Sequence, residues 1–224
     1  MSDKPSVRSP WFWVPSLYFA QGIPYVAVMI VSVLMYKRLG VSNTDIALYT
    51  SWLNLPWVIK PFWSPFVDLL KTKRWWVATM QLLIGAGLAG VAFTIPTTFF
   101  FQASLAVFWL LAFSSATHDI AADGFYMLAL DSHEQAFFVG IRSTFYRIAI
   151  IAGQGVLVMF AGFLENSTGN IPLAWSVTFF ILGGLFLALF LYHRYILPLP
   201  KGDKPSATVT PSTILKEFFA TFAS

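Results

Sequence analysis

Six long apolar stretches run through this chain almost end to end: Trp11 to Tyr36, Asp45 to Val67, Trp75 to Ile95, Thr98 to Phe125, Ala136 to Leu164 and Pro172 to Ile196. Each is about 20 residues or longer, the length that about 30 Å of hydrocarbon requires at about 1.5 Å of helical rise per residue. No water reaches the bilayer core to satisfy backbone groups, so membrane spans must be helices or a closed barrel. These stretches lack the period-two alternation of barrel strands, which leaves helices. A hydrophobic share of 57% against a charged share of 11% leaves no room for a second, soluble domain. The expected fold is an all-α membrane protein, with a bundle of six transmembrane helices over residues 1–197.

The net charge of +4 could suggest a nucleic-acid partner, but the basic residues sort by side of the membrane instead. With a cytoplasmic amino terminus, nine of them (Lys4, Arg8, Lys71, Lys73, Arg74, Arg194, Lys201, Lys204 and Lys216) lie inside, against two, Lys37 and Arg38, outside. Both termini are therefore expected to be cytoplasmic, with no nucleic acid among the partners. Cysteine is absent, which removes disulfides, thiolate metal sites and a cysteine nucleophile. The first stretch is too long for a cleaved signal peptide, is interrupted by Pro15 and Pro24, and has no cleavage site before Lys37. Residues 198–224 read as a cytoplasmic linker, rich in proline and lysine, that leads into an amphipathic helix starting near Ile214 and cut off before a second half.

Charges inside the spans carry the functional signal. In the fourth, Asp119 and Asp123 are four residues apart and share one helix face, about three and two turns deep. Arg142 and Arg147 enter the fifth span to comparable depth, about 140° apart around the helix, so only one can point squarely at the fourth. Depth counting pairs Asp123 with Arg142 and Asp119 with Arg147. Tyr146 and Gln154 extend that surface, the second span adds Lys60, and the first adds Tyr18, Gln21 and Tyr25 at spacings of three and four. Ionisable residues within a bilayer mark pathways or bolts between helices. On this pattern the first, second, fourth and fifth spans surround a polar cavity. The third and sixth, with glycines and few polar groups, serve packing.

Metal and enzyme chemistry find little support. His118 is rotated about 100° from Asp119, His133 falls in the turn expected at 126–135, and His193 lies at the far end of another span, so no ligand set converges. No cofactor is expected. Asp123-Gly124 starts like a lipid phosphotransferase motif, but Phe125, Tyr126, Met127 and Leu128 follow, without the residues such chemistry needs.

Three blocks resemble the AmpG-type muropeptide permeases of the major facilitator superfamily: Gly22-Ile23-Pro24, Lys60-Pro61-Phe62-Trp63-Ser64-Pro65-Phe66-Val67-Asp68, and Ala112 to Asp123 with its Asp-Ile-x-x-Asp core. The resemblance implies the amino-terminal half of a twelve-helix transporter, with a carboxy-terminal six-helix half as its missing partner. It also implies that Asp68, Lys71 and Arg74 form a cytoplasmic gate loop. The implied function is import of anhydro-muropeptides or related amino-sugar-peptides across the bacterial inner membrane, with protons as co-substrate. Asp119 and Asp123 are then candidate proton carriers. Tyr18, Gln21, Tyr25, Lys60, Arg142, Tyr146, Arg147 and Gln154 are candidates for the substrate path. A transporter of acetyl-CoA or another amphiphilic metabolite, and a membrane scaffold subunit, remain open alternatives.

Overall fold

The computed structural model describes residues 9–205. Readings that fall on Lys4, Arg8, Lys216 and the helix start near Ile214 lie outside the described residues. Among the described residues, five helices are long and apolar enough to cross a membrane: α1 (Pro10–Arg38), α5 (Lys73–Thr94), α6 (Phe100–Ala129), α7 (Ser132–Thr168) and α8 (Ile171–Ile196). Between α1 and α5 the chain forms three short helices, α2 (Asn43–Thr50), α3 (Leu55–Ile59) and α4 (Ser64–Leu70), joined by 3-10 turns.

The second apolar stretch is thus a broken rod rather than one helix, and its prolines explain the breaks. Pro56 and Pro65 each stand at the second position of a new helix, and Pro61 does the same in the 3-10 turn at Lys60–Phe62. Proline has no N–H to give the preceding turn but fits the first turn of a new one. The broken rod nevertheless accompanies α6. Tyr49 meets Phe101 ring to ring at 5.7 Å, and the Trp63 indole N–H donates to Thr117 at 3.2 Å. From Phe101 to Thr117 is about 24 Å of helix, most of a hydrocarbon thickness of about 30 Å.

The expected turn at 126–135 shrinks to Leu130 and Asp131. Asp131 caps α7, accepting from the Glu134 N–H at 2.8 Å while the Glu134 side chain returns to the Asp131 N–H, so His133 lies in the first helical turn.

Helices α5 and α8 pack along each other, α6 lies along α5, and α1 packs along α7 and touches α6. Lipid supplies no hydrophobic drive for such contacts, so close approach through small residues carries the packing. A Cβ on Gly85 would stand 3.2 Å from the Gly183 carbonyl, and one on Gly153 would fall 2.1 Å from Val26 Cγ1. Gly153 opens a π turn, Gly153–Leu157, that meets another, Ala27–Val31, in α1.

Two buried apolar clusters fill the bundle. One runs from Ala20 to Val31 in α1 and includes Ile84, Leu88, Phe108, Ala112, Phe179 and Phe186; the other includes Trp13, Leu17, Val77, Ala121, Phe125 and Leu197. The first reaches toward an end tied by Arg38, which forks onto Glu165 while Trp175 donates to the same carboxylate at 2.7 Å. Between the clusters lie Gln81 of α5, Ser115, His118 and Asp119 of α6 and His193 of α8, all buried. The site is built in this polar layer.

Candidate functional site

The Tyr18 hydroxyl donates to Asp123 Oδ1 at 2.9 Å, and Arg142 Nη1 stands 3.1 Å from that hydroxyl and 3.4 Å from the same carboxylate oxygen. The guanidinium also lies against two rings, 5.2 Å from the centre of Tyr18 and 5.0 Å from that of Tyr126. Charge, hydrogen bonding and ring contact together hold Arg142 in one place. These groups open onto a cleft of about 290 Å³ lined by Tyr18, Gln21, Asp123, Arg142, Ser143, Tyr146 and Arg147. Helices α1, α6 and α7 therefore supply its walls.

Arg147 differs from Arg142. It is exposed and lines the same cleft, and it makes no hydrogen bond or ion pair among the described residues. Its fork is open to a ligand. The depth count placed Asp119 beside Arg147, whereas the charges that act on Asp119 are Lys60 and Asp123. The proline-broken rod brings Lys60 there at the start of a 3-10 turn. Gln21 and Trp57 lie against the buried Asp119 carboxylate, yet among the described residues its Oδ1 has no hydrogen-bond partner, nor have Gln21 Oε1 and Ser115 Oγ.

Other predicted residues scatter. Tyr25 packs edge-on to Trp57 at 5.1 Å, and Gln154 sits exposed in the π turn, apart from the cleft. In the loop read as a gate, Asp68 pairs with Lys73, Lys71 lies 6.0 Å from the centre of the Trp75 ring, and the Arg74 side chain donates to the Arg194 carbonyl. Asp203 of the linker accepts from the backbone N–H groups of Lys73 and Arg74 at 2.5 and 3.0 Å. Lys73 is nearly buried, its chain against Gly124, a place the sequence reading did not assign to it.

The third and sixth spans also do more than pack. Gln81 Nε2 stands 3.0 Å from His118 Nε2, Gln81 Oε1 stands 3.0 Å from His193 Nδ1, and Ser16 Oγ stands 2.9 Å from His193 Nε2. His193, read as remote, is two hydrogen bonds from His118. The signal for this chain was one glutamine in an apolar helix, with partners 37 and 112 residues away. Among the described residues no three His, Asp or Glu side chains gather as metal ligands.

The sequence profile of the BT1 family matches residues 19–217. The chain is 29% identical over 181 residues to AmpG 4 of Rickettsia conorii, provisionally named a transporter, covering 76% of this chain and 41% of that protein. It is 28% identical over 153 residues to the anhydromuropeptide permease of Escherichia coli, 65% of this chain and 30% of the permease. An uncharacterized protein of Schizosaccharomyces pombe matches at 28% over 145 residues, 58% of this chain and 28% of the fungal protein. The chain thus spans less than half the length of these relatives. The names of the two bacterial relatives point to transport rather than enzymatic turnover, and the apolar helices make this a multi-pass membrane protein. With a matching profile over most of its length, the chain belongs to the BT1 family, and it is similar to that family's AmpG-type permeases.

Proposed function

We propose that this chain forms the amino-terminal half of a secondary transporter that imports anhydro-muropeptides or related amino-sugar-peptides with protons across a bacterial inner membrane, both termini being cytoplasmic. The observation that carries the reading is the contrast between the two arginines of one cleft. Arg142 is already neutralised by Asp123, while Arg147 presents an unpaired guanidinium to the same space. A planar fork suits a peptide carboxylate, which it pairs bidentately. Asp119, buried with an unsatisfied oxygen beside Gln21, is the group for a proton to visit, because a carboxylate in that place is costly unless neutralised.

Uptake of radiolabelled anhydro-muropeptide by the full-length protein in proteoliposomes, with and without an imposed pH gradient, tests the reading. Asp119→Asn should abolish gradient-driven uptake and leave substrate exchange, which moves no net proton, largely intact. Undiminished gradient-driven uptake in that variant would remove Asp119 from coupling. A second reading is transport of another amphiphilic anion such as acetyl-CoA, whose phosphates would equally pair with the Arg147 fork in the cleft. Competition of the labelled muropeptide by acetyl-CoA separates the two.

A further inference from the structure

The line Ser16–His193–Gln81–His118, half-buried at Ser16 and fully buried beyond it, ties α1, α8, α5 and α6 together, its histidines and glutamine lying between the two apolar clusters. Gln81, His118 and His193 are each 0% exposed, so no water competes for these bonds. The chemistry of the centre is restrictive. An amide offers one accepting and one donating end, so whichever way round it lies, one imidazole must donate to it and the other accept. As oriented here, His193 Nδ1–H donates to Gln81 Oε1 and the Gln81 NH₂ donates to His118 Nε2. The accepting imidazole is therefore neutral, with its single proton on Nδ1, which has no partner among the described residues. A proton added at His118 Nε2 would set N–H against N–H and force the Gln81 amide to turn over, with His193 changing tautomer.

His118 immediately precedes Asp119 and points about 100° away from it around α6. Fixing His118 therefore fixes the roll of the helix, and with it the direction of Asp119 toward Gln21, Trp57 and Lys60. We infer that Gln81 and His118 are positioning residues: their hydrogen bond, not a proton carried by His118, holds α6 at the roll that sets the buried Asp119 behind Gln21 and presents Asp123 to the cleft. The inference rests on the reading of Asp119 as the coupling group, and its test includes a measurement that does not.

In the full-length protein, His118→Leu and Gln81→Leu remove the bond, whereas His118→Gln keeps an accepting oxygen near the place of Nε2 and cannot titrate. The two Leu variants should lower gradient-driven uptake by about tenfold or more while exchange persists, because a displacement of about 1 Å at a reacting group is worth that much. His118→Gln should restore uptake to within about threefold of the parent. Independently, the chain has no cysteine of its own, so Asp123→Cys, made together with Arg142→Gln so that no charge is stranded, in a background freed of other cysteines reports the roll of α6 through its rate of labelling by a water-soluble thiol reagent. That rate should fall several-fold with His118→Leu and recover with His118→Gln. Where a Leu variant does not fold, Gln81→Asn, one methylene too short to span both imidazoles, takes its place. Parent-like uptake and labelling in the bond-breaking variants would overturn the inference, as would a His118→Gln protein as impaired as His118→Leu. If Asp119→Asn kept gradient-driven uptake, the coupling reading would fall, and the labelling rates would still decide the positioning role.

Discussion

At the scale of single residues, the bilayer turns charge into geometry. Asp123 and Arg142 were legible as a pair because both are ionisable and equally deep, and the ion pair at 3.4 Å is what that depth count expects. Asp119 was not legible in the same way. Depth constrains one coordinate, and the partner that acts on it, Lys60, comes from a rod whose breaks depth counting ignores. Removing one member of this half-buried pair leaves a charge without its partner, so Asp123→Asn or Arg142→Gln alone should reduce folded yield more than the double substitution does. Gel filtration of the three variants measures this, and a double variant as poor as the worse single one would argue that the groups act separately. Arg147 should behave differently. With no partner to strand, Arg147→Lys should fold normally, yet raise KM for a carboxylate substrate by about tenfold, because an ammonium pairs as a point charge where the guanidinium pairs through a fork. An unchanged KM would place the substrate elsewhere.

At the scale of helices, the sequence shows where apolar stretches lie but not how each is bent. Asp45 to Val67 has the composition of a span, and composition is blind to the fact that Pro56, Pro61 and Pro65 each restart a helix. The glycines of the third and sixth spans were read as packing devices, and in the fifth the structure separates those that meet a neighbour from those that do not. A Cβ on Gly153 overlaps Val26, whereas one on Gly155, two residues on, meets nothing within 4 Å. Gly153→Ala should therefore cost about 1–3 kcal/mol by forcing α1 and α7 apart at their facing π turns, and Gly155→Ala should be neutral or slightly stabilising. Thermal unfolding in detergent would rank the two, and equal midpoints would mean that the crossing of α1 and α7 yields without cost. Gln81 escaped notice, and His193 was read as remote, for a related reason. A lone polar residue in an apolar helix has no periodicity to advertise it, and its partners are distant in sequence.

At the scale of the whole molecule, the bundle is two apolar cores with a polar layer between them, open on one side at the cleft. Its long helices are unequally covered: α7 is the least buried of the five, with 17% of its most apolar window inside, against 67% for α1. The composition of residues 198–205 identified a linker, but nothing in that composition shows that it folds back. Asp203 closes the bundle end by accepting from the first N–H groups of α5, beside the Asp68–Lys73 pair of the loop leading into that helix. A helix leaves its first N–H groups without internal partners, and a carboxylate there also meets the positive end of the helix dipole. Because α5 packs on both α6 and α8, the loop, the linker and the ends of three helices share this one contact. Asp203→Ala should thus cost about 1 kcal/mol, a typical cap, and its effect should concentrate at one end of the molecule. Hydrogen–deuterium exchange should rise at Lys73 and Arg74 and through the 68–74 loop, and stay unchanged at the Arg38–Glu165 end. Asp203→Asn, which keeps an accepting oxygen but no charge, should fall between. Uniform exchange across both ends in Asp203→Ala would show that the linker is a passenger on α5 and not a tie.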